Sequence, residues 1–586
     1  MKFSVLCETY SMLEATTKRL EMTDILVDLL KNCDKAIIDK VCYLSLGRIY
    51  PEYVDLELGL AEKMVAKTVA MASGISQKEV EKHLAKTGDL GTTVQELRKK
   101  GRAQTTLFAQ ELTVERVFET LDKIARSTGT GSQDRKVKLL ASLLLEASPL
   151  ESKYIVRIVL GQLRLGVADM TILDALAIAY GGGKESREII ERSYHLSSDV
   201  GAVAKALAER GLGALKSFKI QVGTPIHSML AQRLSSPEEI LEKLGGVCAL
   251  EFKFDGERIQ AHKKGEEVLL FSRRLENVTH QFPDIQILVR DNIKTEKCIV
   301  EGEIVAINPE TGEMYPFQVL MQRRRKYGIK EAMEKIPTAL FLFDCLYVDG
   351  KDFTVSSYVD RRKQLEKIVK KTEQLQLSEK KIGKTVKEIE KFFEQSIEYG
   401  CEGIMAKSID GVYQAGARGW LWIKYKRDYR GPELTDTLDL VVVGAFYGRG
   451  RRGGTYGTLL MAGYEEETDM FKTVCKLGAG FSDENLEELP RKLKKHLIPH
   501  KHSRIDSNFK ADVWFEPALV LEVQGSELTL SPTHTAAWDK IKKDAGLAVR
   551  FPRFTGRFRE DKTPEQATTT AELEGMYKAQ LKQIEK

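Results

Sequence analysis

At 586 residues the chain is too long for one hydrophobic core, and roughly two to four domains are expected. Charged residues make up 30% of it, above the usual share of about a quarter, yet the formal net charge is only +5, so any nucleic-acid surface must gather its basic residues on one face. The eight cysteines are scattered with no Cys-x-x-Cys pair, no apolar stretch reaches about 18 residues and the first residues lack a signal peptide's layout, which argues against a zinc ribbon and a membrane span and leads us to expect a soluble protein of a reducing, intracellular compartment.

Residues 1–224 read as helical throughout. Segments 23–30, 136–146 and 153–165 repeat apolar residues at intervals of three and four, and Thr23, Asp169 and Ser198 read as helix caps, the last before a run ending at Gly211. Across 225–430, strand patterns alternate with helices as in an α+β domain: 248–262, 268–272, 298–307 and 339–348 are strand-like, and 359–398 is a charged helical stretch. Tyr429-Arg430-Gly431-Pro432 reads as a linker. In 431–586, short apolar runs at 439–445, 458–464 and 518–523, separated by glycine turns, suggest a small β-barrel, followed by a terminal helix over 566–586. His496, His500 and His502 sit among Lys494, Lys495 and Lys501 and read as a solvated basic loop rather than a metal site.

The chemistry concentrates in the middle region. In Glu251-Phe252-Lys253-Phe254-Asp255-Gly256-Glu257-Arg258, the strand period of two sets Glu251, Lys253 and Asp255 on one face and Phe252 and Phe254 on the other. A lysine held this way becomes a nucleophile if burial and cationic neighbours lower its pKa. Lys-x-Asp-Gly alone arises by chance in roughly one chain in ten of this length, so its followers matter. They are Ser272-Arg273-Arg274, Glu301-Gly302-Glu303, Phe341-Leu342-Phe343-Asp344, Glu402 to Lys407, and Trp422-Ile423-Lys424-Tyr425-Lys426. Glu301 and Glu303 share a strand face, where paired carboxylates suit a ribose hydroxyl or a magnesium ion, while Phe343 by pattern alone is core. Lys424 and Lys426 share a face with Trp420 and Trp422 and are placed to neutralise a phosphate.

This ordered series resembles the nucleotidyltransferase motifs of the ATP-dependent DNA ligases, most closely the replicative type of archaea and eukaryotes, over nearly the whole chain. The resemblance implies an all-α DNA-binding domain (1–224), an α+β adenylation domain (225–430) and an OB-fold β-barrel with a terminal helix (431–586). It implies that Lys253 attacks ATP to form lysyl-AMP, which is then used to seal nicks in duplex DNA during replication, repair and recombination. It implies that Glu251 meets the adenine edge and Phe343 stacks on the ring, that Arg258, Arg273, Glu303, Arg418 and Lys424 bind the nucleotide, and that Glu303 and Glu402 hold Mg2+ or another divalent cation. It implies that Lys426, Arg559 and Lys562 are further phosphate contacts, the last two on the segment Phe551 to Lys562. Lys136, Lys153, Arg157, Arg164 and the loop Gly129-Thr130-Gly131-Ser132 are expected to touch DNA phosphates, as is the basic loop 448–454. A monomer in the cytoplasm, associated with the nucleoid of an archaeon, is expected. Capping enzymes and RNA ligases share the lysine chemistry but generally lack so long a helical region. Gln104, Leu107 and Phe108 look like a shortened form of the peptide by which replication proteins dock on the sliding clamp; the equal alternative is a helix start whose Leu107 and Phe108 pack inward.

Overall fold

The computed structural model describes residues 1–100, 111–307, 314–315, 317–323, 328–426, 437–448, 455–525 and 527–584. They form two compact units, one from residues within 1–68 and 103–430, the other from residues within 69–102 and 431–586.

In the first unit the amino-terminal part is built from helices, among them Phe3–Glu14, Arg19–Lys31, Ile38–Ser45, Val114–Ala125, Ser132–Glu146, Pro149–Val159, Asp169–Tyr180, Arg187–Ser197 and Val200–Arg210. Local chemistry sets their ends. Ser148 and Glu151 form a reciprocal capping box around Pro149 at the first helical position. That helix stops at Val159, short of the expected 165, because Gly161, Arg164 and Gly166 all take positive φ. The other expected caps shift by a residue or more. Thr23 lies inside Arg19–Lys31, Asp169 is the first residue of its helix, and Ser198 ends one helix in a left-handed conformation while Asp199 caps the next by accepting from the Ala202 amide.

The strands that follow are β1 (Leu230–Arg233), β2 (Cys248–Lys253), β3 (Glu257–Lys264), β4 (Glu267–Ser272), β5 (Lys297–Ala306), β6 (Thr338–Val348), β7 (Lys351–Asp352), β8 (Leu375–Leu377), β9 (Lys380–Gly383), β10 (Gly403–Lys407) and β11 (Arg418–Lys426). Among the described residues they make two sheets, ordered β1-β11-β10-β2-β9 and β4-β3-β5-β6-β7, with β8 also on β6. Alternation along β2 and β10 divides their residues. Cys248, Leu250, Ile404 and Ala406 pack with Ile389, Phe392 and Phe393 of the helix Val386–Glu398, which leaves Ala249, Glu251, Lys253, Gly403, Met405 and Lys407 on the opposite face. The second sheet buries Ile259, Leu270, Val300 and Leu340 against the helices Pro283–Asn292 and Tyr358–Ile368. The charged stretch 359–398 is therefore two helices split by β8 and β9, which pair with β6 and β2.

The segment joining the helical part to these strands is stitched to the second sheet. The Gly223 amide donates to His262 Nδ1 at 3.0 Å and the Ile226 amide to Gln260 Oε1 at 2.7 Å. The His227 amide bonds the His195 carbonyl at 2.9 Å, and the His195 and His227 rings lie 5.1 Å apart in the interior.

The second unit holds a curled, mostly antiparallel sheet. Its strand Leu438–Tyr447 pairs with Tyr456–Glu465 on one side and with Val513–Phe515 and Val520–Gln524 on the other; the latter also takes Arg553–Phe558. Irregular register at Val442/Gly444 bends the shared strand. The terminal helix runs Thr570–Ile584, starting later than expected. No helix among the described residues is long and apolar enough to cross a membrane.

Candidate active site

Register builds the site. Gly403 on β10 pairs with Lys253 on one side and Lys426 on the other, Met405 lies between Glu251 and Lys424, and Lys407 between Ala249 and Trp422. Three rows thus place four lysines, a buried glutamate and an aromatic ring on one sheet face. The motif glycines are steric necessities: a Cβ on Gly302 would fall 2.8 Å from the Phe341 carbonyl oxygen. A Cβ on Gly256 would fall 2.2 Å from the Ile304 carbonyl oxygen and 2.9 Å from Glu303 Cγ, and one on Gly403, which has φ +148°, would fall 2.2 Å from the Tyr425 oxygen.

Glu402 bridges the first row: its Oε2 lies 2.7 Å from Lys253 Nζ and 2.5 Å from Lys426 Nζ, and its amide donates to the Lys253 carbonyl. Burial opposes ionisation of Glu402, but the charges of Lys253 and Lys426 outweigh it and hold its pKa at about 2. The same pairing corrects the expectation for Lys253. Burial pulls its pKa down, yet Glu402 and Glu303 more than offset that, so the amine is held above its ordinary value. Glu303 behaves oppositely: burial, aided by the negative charges of Glu402 and Glu257, pushes its carboxyl to about 7 despite Lys253 and Arg258 nearby. Lys424 is pushed down by burial and by the positive charges of Lys426, Lys253, Arg418 and Arg273, which marks a basin of cations facing one another. Arg273 and Arg418 are both exposed at its edge.

Arg258 spans the two sheets. It donates to the Met229 carbonyl and to Glu301 Oε2, each at 2.8 Å, and lies 5.4 Å from the Phe343 ring centre and 5.3 Å from that of Trp422. Glu301, the fully buried member of the pair on β5, also accepts from Tyr413 Oη at 2.9 Å. Phe343 is more than core: β5 and β6 pair Glu301 with Asp344 and then Gly302 with Leu342, so Phe343 occupies a bulge, a place where strands re-aim a side chain. Glu251 is bound by Tyr358, Arg362 and Lys407.

The profile described as ATP dependent DNA ligase domain matches residues 228–426, flanked by DNA ligase N terminus at 2–177 and ATP dependent DNA ligase C terminal region at 452–562. The chain is 54% identical to "DNA ligase 2" of Thermofilum pendens over 99% of its own length and 98% of that protein, and 52% identical to a DNA ligase of Staphylothermus marinus over the full length of both. The chain belongs to the ATP-dependent DNA ligases. A solved structure described as Pmar-Lig_PreS3 matches 94% of this ligase and 99% of that chain at a TM-score of 0.55 and 18% identity, a likeness of fold. The ligase joins strand ends at nicks in DNA at the expense of ATP.

The sequence assigns no role to the residues that hold the site from behind: Tyr358, Arg361, Arg362, Lys407 and Tyr413. Arg361 and Asp344 form a fully buried pair at 2.7 Å. Lys407 closes the motif that begins at Glu402, but nothing local marks the other four. In the second unit, Asp439 receives two bonds from Arg559 Nη1, at 2.9 and 2.8 Å, and one from Lys562 Nζ at 2.7 Å, while Arg559 Nε and Nη2 reach Asp561.

Several expected DNA contacts of the ligase turn inward. Lys136 is 7% exposed and donates to the Leu58 carbonyl; Arg157 is 4% exposed and grips Glu14, as does Lys153 at 2.6 Å. Arg164 Nη2 bonds Gln162 Oε1. The Gly129 to Ser132 loop stays open. Gln104, Leu107 and Phe108, loop residues 449–454 and the linker at 429–432 lie outside the described residues.

Proposed function

We propose that this ligase works through three in-line transfers centred on Lys253. The amine attacks the α-phosphorus of ATP, forming lysyl-AMP and releasing diphosphate; AMP passes to the 5′-phosphate of a nick; the 3′-hydroxyl then displaces AMP and closes the strand. The observation that carries this reading is the row Lys253, Gly403, Lys426, with Glu402 between the two amines: a nucleophile on a rigid strand, beside a second cation suited to charge developing on the phosphate. Glu251 meets the adenine edge and Phe343 stacks on the ring. Arg258, Arg273, Arg418 and Lys424 line the phosphates and ribose, with Glu303 on the ribose side.

Glu303 and Glu402 suit a divalent cation of the magnesium kind, which takes one or two carboxylates and completes its shell with phosphate oxygens and water. The support is electrostatic: Glu402 already gathers two cations, and Glu303 resists ionisation beside it. Such an ion would supply shielding of phosphate charge, and Glu402, which would help hold it, is the carboxylate that pairs with Lys253. Lys253 for its part must shed the proton that these carboxylates favour before it can attack.

The same reading divides the chain at 224/225 and 430/431, treats the curled carboxy-terminal sheet as an OB-fold barrel and takes Arg559 and Lys562 as phosphate contacts. It takes the enzyme as a cytoplasmic monomer on DNA, with Gln104, Leu107 and Phe108 as a sliding-clamp contact. Steps one and three separate in one test. Lys253→Ala should not self-adenylate yet should weakly seal a chemically pre-adenylated nick; failure in both assays with native nick binding would refute the assignment of separate steps.

A further inference from the structure

Glu251 is 1% exposed, and its carboxylate accepts hydrogen bonds from two side chains and forms an ion pair with a third. Tyr358 Oη donates to Oε1 at 2.6 Å, Arg362 Nη1 to the same oxygen at 2.9 Å, and Lys407 Nζ pairs with Oε2 at 2.5 Å. A carboxylate offers about four acceptor positions, so these partners leave roughly one free, on the Oε2 side. The donors are themselves fixed. Arg362 Nη2 donates to the Ser378 carbonyl at 2.7 Å and Nε to Glu366 at 3.0 Å. Lys407 is buried with its Nζ 4.3 Å from the Trp422 ring centre, 4.9 Å from that of Phe343 and 5.1 Å from that of Tyr358. Arginine and lysine have no acceptor to offer, so Glu251 is presented to this network, and to whatever lies beyond it, as an acceptor alone.

We infer that Tyr358, Arg362 and Lys407 are positioning residues that lock the Glu251 carboxylate as a hydrogen-bond acceptor, and that this lock makes the site select a purine with a 6-amino group over one with a 6-carbonyl. The inference rests on the reading that Glu251 meets the edge of the base. A 6-amino group donates to the remaining lone pair. A 6-carbonyl sets two acceptors against each other in a dry site and leaves both unpaired, which is how a built hydrogen-bond site rejects an analogue. A carboxylate free to swing would escape that clash, so the discrimination resides in the donors behind it.

The test uses the full-length enzyme and α-labelled ATP and ITP, which differ at position 6 of the purine and in the proton that the 6-carbonyl base carries on N1; a locked acceptor cannot swing to reach that proton. Self-adenylation kcat/KM is measured for both nucleotides on the same preparation of the parent, Tyr358→Phe and Glu251→Gln, so that any inactive fraction cancels from the ratio. Tyr358→Phe removes one donor to a charged acceptor and should lower the ATP-over-ITP preference by about tenfold, with Glu251→Gln lowering it at least as far. If Glu251→Gln lowers the preference and Tyr358→Phe retains it, the positioning inference is overturned while the site reading stands. If Glu251→Gln retains it, Glu251 is not at the base and both fail. Should Tyr358→Phe not fold, Arg362→Gln removes the other donor to the same oxygen and is judged by the same ratio.

Discussion

Replacing Arg258 by methionine separates what that residue does for the fold from what it does for ATP. Its guanidinium carries the countercharge to Glu301, which is 0% exposed; the donors that would remain are neutral, Tyr413 Oη at 2.9 Å and Ser228 Oγ and Gln260 Nε2 at 3.4 Å each. Stripping one partner from a buried pair leaves an uncompensated charge and costs about 3–5 kcal/mol. For a domain of about 200 residues that corresponds to a fall in melting temperature of roughly 6–20 °C. Arg258→Met with Glu301→Gln removes both charges, so stability should return toward the parent. Self-adenylation should not return, because the cation that lay over Phe343 and Trp422 is still missing. Calorimetry and labelling with α-labelled ATP on the three proteins read the two effects. A single variant that melts with the parent, or a double variant that regains adenylation along with stability, would refute the reasoning.

Phe343→Ala should raise the ATP requirement of self-adenylation more than it slows sealing of a pre-adenylated nick, since stacking on a base is worth about 1–3 kcal/mol; equal losses in the two assays would argue for a merely structural ring. Asp439→Asn should loosen Arg559 and Lys562 and impair the first step several-fold while sparing sealing of pre-adenylated nicks, as single-turnover measurements of each step would show. Burial depresses His195 to about 3, His227 to about 4 and His262 to about 3. Because these folded values lie below the unfolded value near 6.5, the unfolded chain takes up protons first; stability is complete above that pH and falls below it, by about 1.4 kcal/mol per pH unit for each histidine. Denaturant melts between pH 7 and 5 should show that slope, and His262→Gln should flatten it; a slope unchanged by the substitution would contradict the assignment.

The motifs were legible because a strand's period of two is rigid: Lys253, Glu301, Glu303, Lys424 and Lys426 all fall on strands that the apolar pattern marks. What escaped depends on partners distant in sequence. Nothing local distinguishes Arg157, gripping Glu14, from a cation offered to DNA, and the raised pKa of Lys253 follows from Glu402, far along the chain. The bulge that frees Phe343 depends on a register slip against β5 that no single-strand pattern records. The stretch 359–398 was misread for a different reason. Its charges mask the short alternation Leu375-Gln376-Leu377, although Thr385 with Glu388 forms a capping box that marks the start of the second helix.

The central claim, that Lys253 carries the AMP, is tested most directly by locating the adduct. The parent enzyme is incubated with ATP and magnesium, quenched, digested and read by mass spectrometry. The account predicts AMP on the peptide containing Lys253, bonded to that lysine and absent from the Lys253→Ala protein. AMP on Lys407, Lys424 or Lys426, or an undiminished adduct on Lys253→Ala, would contradict it.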